Sequence, residues 1–208
     1  MPRISSFKKK ILLLQPMDQT IQQNRLSLKW ERICEKNVRI KNILDNIRNA
    51  DGLYSVSRRD IFQRSEPFDK LVMIMWWGYP KGMINPVYQK NILHKAEEIA
   101  SLLQEKAGRH LAEKEFKQLF LSVKSKVLRG LGLSTISKFF YFFNIFEGKN
   151  RAVIVDRRVS AAMTHFDDFV SIHDRDLTSR YLGQIRQINS QACQSPSTGP
   201  SRELSACK

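Results

Sequence analysis

Residues 128–143 read LRGLGLSTISKFFYFF, and the fold of the chain turns on how that stretch is taken. Two glycines bracket one aliphatic residue, a Ser-Thr pair follows, and a solid aromatic run closes it. Upstream, Phe116, Leu119, Phe120, Val123 and Val127 recur at three- and four-residue spacing, which predicts a helix over 115–128 with one buried face. The aromatic run predicts a second helix from about Ser134 to Phe146, buried on most sides and ended by a turn at Gly148. Helix, short glycine loop and helix make a helix-hairpin-helix. Glycine tolerates positive φ and lets the backbone approach a ligand, while the second helix begins with N–H groups that have no partner within it. Together these form a cradle suited to a phosphate. The glycine pair alone is a weak signal, because any helix C-terminus uses glycine.

Moving toward the N-terminus, Asn91 to Ala107 carries Ile92, Leu93, Ala96, Ile99, Ala100, Leu102 and Leu103 at helical spacing. The stretch 68–79, FDKLVMIMWWGY, is apolar enough for a buried helix or a buried strand, and its periodicity does not decide between them. It runs into WWGYPKGM, where Gly78, Pro80 and Gly82 punctuate a loop. Trp76, Trp77 and Tyr79 on that loop edge could stack on a base, although core packing is favoured for at least one tryptophan because large aromatics bury so much area. Residues 26–50 predict one or two helices with a break, Asp51-Gly52 a turn, and Ser57 before RRDIF another helix start.

On the C-terminal side, RAVIVDRRVSAAM supplies a short β-branched lead-in to Asp156, which is expected to cap a helix through Val159 and Met163. A last helix is expected from Thr178 to about Gln191. From Cys193 the chain is rich in Ser, Pro and Gly with little to bury, and a disordered tail is expected. There is no internal repeat and no alternating-strand series. The expectation is therefore a mainly α chain: a basic N-terminal arm at 1–25, a helical domain at 26–192 and a tail at 193–208.

Composition narrows the partners. The 208 residues, 42% hydrophobic, are enough for one sizeable core, and 35 Lys and Arg against 20 Asp and Glu leave a formal charge of +15. Such a surplus favours a polyanion through counterion release and long-range attraction. Cys34, Cys193 and Cys207 are scattered and lack the spacing of a zinc or redox site, which suits a reducing cytoplasm. His94, His110, His165 and His173 likewise imply no metal site. The start MPRISSFKKKILLLQP imitates a secretory signal, but its apolar core spans only Ile11 to Leu14 and ends at Gln15-Pro16. No stretch is long and apolar enough to span a membrane.

Asp156 lies 22 residues after Ser134, on the far side of the aromatic helix. A carboxylate returned to the hairpin of a basic protein suits chemistry at a sugar carbon, where it can stabilise an oxocarbenium-like centre or help a nucleophile attack. The alternative is a helix cap paired with Arg157 or Arg158, and spacing alone slightly favours it.

LRGLGLSTISKFF followed by VIVDRRV resembles the signature of the helix-hairpin-helix base-excision DNA glycosylases, in which Leu-Pro-Gly-Val-Gly leads a helix and an aspartate follows about twenty residues later. The resemblance covers roughly residues 119–163. Within that superfamily, WWGYPKGM and VDRRV are most similar to the bacterial 8-oxoguanine DNA glycosylase-like proteins. The resemblance implies a helical glycosylase-like domain whose Arg129, Gly130, Leu131, Gly132 and Ser134 contact the DNA backbone, with a monovalent cation as an option at the hairpin carbonyls and otherwise no cofactor. It makes Asp156 the catalytic aspartate and puts Ser134 where bifunctional members carry the lysine that forms a Schiff base. Serine cannot form that imine, so the implied enzyme is a monofunctional glycosylase in which water attacks. Lys138, one turn beyond Ser134, is expected to be solvated or phosphate-facing, with contact to the base or a displaced nucleophile as alternatives. Trp76, Trp77, Tyr79 and Phe139 are the candidates for a pocket that holds a flipped base.

Two departures from the family stand out. The cysteines are too few for an iron–sulfur cluster. The chain is also short, and is expected to lack the β-rich N-terminal region of the larger relatives and an aromatic closing helix after Gln191. The implied function is a DNA N-glycosylase that excises a damaged purine of the 8-oxoguanine type, as a monomer. The rivals are a catalytically weak nucleobase- or DNA-binding module, working with proteins of the same operon in bacterial defence or genome maintenance, and a non-specific nucleic-acid binder with a chance hairpin.

Overall fold

The computed structural model describes residues 22–127, 131–155, 182–183 and 185–186. Among these, eight helices carry the fold: α1 (Leu28–Lys36), α2 (Val38–Asp45), α3 (Arg58–Gln63), α4 (Pro67–Gly78), α5 (Pro86–His94), α6 (Ala96–Glu105), α7 (Glu113–Ser125) and α8 (Leu133–Phe142). The mainly helical architecture read from the sequence is the one observed.

The ambiguous stretch is the central helix. Pro67 occupies the first turn of α4, where its missing N–H costs nothing, and the Glu66 side chain accepts from Asp69 N at 2.7 Å. Every residue from Leu71 to Trp77 is buried. A helix apolar on all sides must be surrounded, and α2, α3, α6 and α8 surround this one, with α6 in the broadest contact. Burying each large apolar side chain contributes roughly 1.5–3 kcal/mol, so α4 is the main anchor of the core.

Elsewhere the boundaries move. The break expected within 26–50 falls at Asn37, whose side chain accepts from Ile40 N and so starts α2. Ser57 and Asp60 form a reciprocal capping box at α3. The single helix expected over Asn91 to Ala107 is two, α5 and α6, which meet at Lys95. Helix α8 stops at Phe142 rather than Phe146, because Asn144 takes a left-handed turn at φ 60° and Phe146 enters a strand.

Five short strands brace the helices. β1 (Gln22–Asn24) pairs antiparallel with β2 (Tyr54–Val56), so the end of the segment expected as a basic arm is held in a ladder. β3 (His110–Leu111), β4 (Phe146–Glu147) and β5 (Asn150–Arg151) form a second sheet in the order β3-β4-β5, with β3 parallel to β4. This sheet ties the link before α7 to the chain leaving α8. It therefore fixes the two hairpin helices relative to each other from the end opposite the glycine loop. Leu182 and Ile185 are buried in the same core.

Candidate functional site

Helix α8 begins at Gly132, which acts as its N-cap without any side-chain acceptor. Thr135 N donates to Gly132 O at 3.0 Å, so among the described residues the N–H groups of Leu133 and Ser134 are the ones left to an outside partner. Gly132 sits at φ −86°, so this glycine is not required for positive φ, as the sequence alone had implied; instead a Cβ there would meet nothing within 4 Å, and the backbone faces open space. Leu131 beside it is buried in the core.

One turn further in, Lys138 is only 5% exposed. This corrects the expectation of a solvated or phosphate-facing side chain. Its Nζ donates to Ser134 Oγ at 2.7 Å and to Ser134 O at 2.9 Å, and it lies 5.2 Å from the centre of the Tyr79 ring. Two oxygens and an aromatic face replace water, which is how an amine is accommodated under an apolar layer. The seat for its stem is Gly78, where an added Cβ would come within 2.9 Å of Lys138 Cδ and 3.2 Å of Cε.

Tyr79 closes this arrangement. Its hydroxyl shares a 2.8 Å hydrogen bond with Thr135 Oγ1, and its carbonyl accepts from Trp30 Nε1 at 2.8 Å. The Ser-Thr pair of the opening stretch thus has two jobs: Ser134 receives Lys138, and Thr135 receives the loop that follows α4. Ser137, which the sequence reading passed over, has a third. Its Oγ accepts from Val155 N at 3.0 Å and donates to Val155 O at 3.3 Å, fixing the residue before Asp156 against α8. Three Ser and Thr hydroxyls in one otherwise hydrophobic helix are the signal that could have drawn attention to it. Asp156, Arg129 and Gly130 lie outside the described residues.

Of the four aromatic candidates, Tyr79 borders the Ser134–Lys138 pair, whereas Trp76, Trp77 and Phe139 are buried. Both tryptophans belong to α4 and not to a loop edge. Their indole N–H groups have no hydrogen-bond partner among the described residues. Beside the next turn of α8, the Arg58 and Arg151 guanidinium groups lie 5.7 Å and 5.0 Å from the Tyr141 ring centre, and Arg58 also faces Trp77 at 5.3 Å. An open cavity of about 520 Å³ between Lys41, Asp45, Arg48 and Tyr54 contains none of these residues. Among the described residues no group of His, Cys, Asp and Glu could hold a metal ion.

The arrangement defines a mainly helical, glycosylase-like domain of the helix-hairpin-helix type. Residues 17–201 match the family described as "Putative 8-oxoguanine DNA glycosylase OGG-like protein", and the chain belongs to that family. No curated protein and no solved structure matches the chain. Family membership implies DNA as the partner, and among the described residues no helix is long and apolar enough to cross a membrane.

Proposed function

We propose that the chain is a DNA N-glycosylase that extrudes an oxidised purine of the 8-oxoguanine type and releases it by hydrolysis. The observation that carries this reading is the Ser134–Lys138 pair at the start of α8, in a chain of that family. Because Ser134 Oγ accepts from Lys138, its own proton is directed elsewhere, toward a water or the substrate. Lys138, with its protons engaged by two oxygens, serves as a fixed cation rather than as a nucleophile. It favours the anionic charge that builds on the departing base. Asp156 stabilises the sugar cation, and the open backbone at Gly132 receives a phosphate, with Arg129, Gly130 and Leu131 completing the hairpin contact.

Tyr79 is the aromatic best placed to touch the extruded base. The burial of Trp76, Trp77 and Phe139 favours a second reading, a binding module with little catalysis, since none of the three offers an open face.

Base release from duplexes carrying 8-oxoguanine and other lesions, read with and without alkaline cleavage, tests both. Cleavage only after alkali, lost in Asp156→Asn, is the outcome expected of a hydrolytic glycosylase. Strand scission gained in Ser134→Lys would fix the register of the hairpin. Tight binding with no release from any lesion would move the assignment to the binding module.

A further inference from the structure

A concavity that shares no residue with the hairpin lies where α2 ends and the chain turns into β2. Its volume is about 520 Å³, and Lys41, Asp45, Arg48, Asn49, Gly52 and Tyr54 line it. That is the size range of small-molecule sites. The turn at its rim is tightly bonded: Asn49 N donates to Leu53 O at 2.8 Å, Leu53 N to Asn49 Oδ1 at 2.9 Å, and Gly52 N to Asn49 O at 3.0 Å. Gly52 adopts φ +73°, and a Cβ there would lie 3.3 Å from Arg48 Nη2. The Arg48 guanidinium therefore rests against bare backbone, 5.9 Å from the centre of the Tyr54 ring.

Three groups in the cavity keep hydrogen-bonding capacity in hand. Arg48 makes no ion pair among the described residues, so its planar fork is open to an anion. Asp45 Oδ2 accepts from Lys41 Nζ at 2.5 Å, which leaves the second carboxylate oxygen able to accept. Tyr54 is only 7% exposed, yet it lines the cavity, and no hydrogen bond holds its hydroxyl among the described residues. Burial first, and then Asp45, raises the Tyr54 pKa, so the phenol stays protonated and able to donate. That hydroxyl is left to whatever fills the cavity.

A run of DNA phosphates matches these walls poorly, because Asp45 would face the same backbone as Arg48 and repel it. A small molecule with an anion at one end and hydroxyl donors at the other matches them well. We propose that the cavity binds a ribonucleoside 5′-monophosphate, its phosphate on Arg48 and its ribose 2′- and 3′-hydroxyls on Asp45 and Tyr54. Carboxylates serve ribose hydroxyls in this way in nucleotide-binding folds, and the 2′-hydroxyl is the group that DNA lacks. The site is independent of base excision at the hairpin, since no residue is common to the two.

Equilibrium dialysis of the full chain against labelled 5′-AMP, 5′-dAMP and inorganic phosphate tests this. Wild type is expected to bind AMP, and dAMP about fivefold more weakly for the loss of one hydrogen bond. Inorganic phosphate, which lacks the sugar, should bind more weakly than either. Arg48→Met is expected to weaken AMP binding by about tenfold or more, the loss of a charge-assisted pair. Asp45→Asn should bring AMP and dAMP to within about twofold of each other. Melting temperatures establish that the variants are folded. Should Arg48→Met unfold, Arg48→Lys, which keeps the charge and loses the fork, is expected to weaken AMP binding in its place. No binding of AMP, equal affinity for AMP and dAMP in wild type, or AMP binding unchanged in the Arg48 variant overturns the proposal. So does displacement of AMP by a DNA duplex that itself depends on Arg48, which would give the cavity to the DNA backbone.

Discussion

Lys138 rests where a side chain at position 78 would otherwise be. The contact of 2.9 Å that a Cβ at Gly78 would make with Lys138 Cδ is with a flexible stem, so Gly78→Ala need not disrupt the fold. Alanine is also the better helix former by about 1 kcal/mol, and Gly78 is the last residue of α4. The cost falls on the site, because the amine is pushed off Ser134 and a displacement of about 1 Å can cost on the order of 100-fold in rate. Gly78→Ala is therefore expected to slow base release at least tenfold while the melting temperature stays within a few degrees. An unchanged rate would show that the Ser134–Lys138 pair has no part in catalysis. The sequence made Ser134 legible through its place after the glycines. It did not make the burial of Lys138 legible, because the seat at Gly78 and the ring of Tyr79 lie some sixty positions away and only the fold brings them to α8.

At the scale of elements, a helix with an apolar face set against a polar one, such as α7, could be read, and α4, buried on every side, could not. Ser57 and Asp60 announce α3 because each can satisfy the other's backbone N–H, and both bonds are present. Helix α4 hid its type because a segment buried on every side has no periodicity to show. The loop after it was legible as a loop from Gly78, Pro80 and Gly82, but not the bracing of its backbone by Lys29 and Gln89, which reach in from other elements. The capping box makes a direct prediction. Ser57→Ala leaves Asp60 N without its side-chain acceptor and is expected to destabilise the fold by about 1 kcal/mol. Urea denaturation should show this as a lower midpoint with an unchanged slope. Since α3 abuts α4, the loss should appear in the global transition and not as local fraying.

The whole molecule is held at its C-terminal side by Arg186, which reaches two separate elements. Its guanidinium donates to both Glu147 carboxylate oxygens and to Glu113 Oε2 at 2.8 Å, joining β4 and the start of α7. Glu147 is nearly buried, and the bonds from Arg186, with a weaker one from Asn150, hold its carboxyl below the usual range despite burial. A carboxyl whose folded pKa is depressed stabilises the fold above its unfolded value, near 4.5. That contribution is lost as pH falls through the lower folded pKa. Arg186 is about half exposed, so solvent screens part of the attraction, and Arg186→Met is expected to cost about 1–2 kcal/mol at neutral pH. The difference in melting temperature between wild type and Arg186→Met should therefore stay constant from about pH 5.5 to 8. It should shrink as pH falls from about 4.5 through the lower folded pKa, and vanish only below that, where both proteins carry a protonated Glu147. A difference that persists unchanged into acid would mean that Arg186 contributes through the packing of its stem rather than through its charge. Thermal melts across that pH range separate the two, and they also measure how firmly the C-terminal side clamps the sheet that sets α7 against α8.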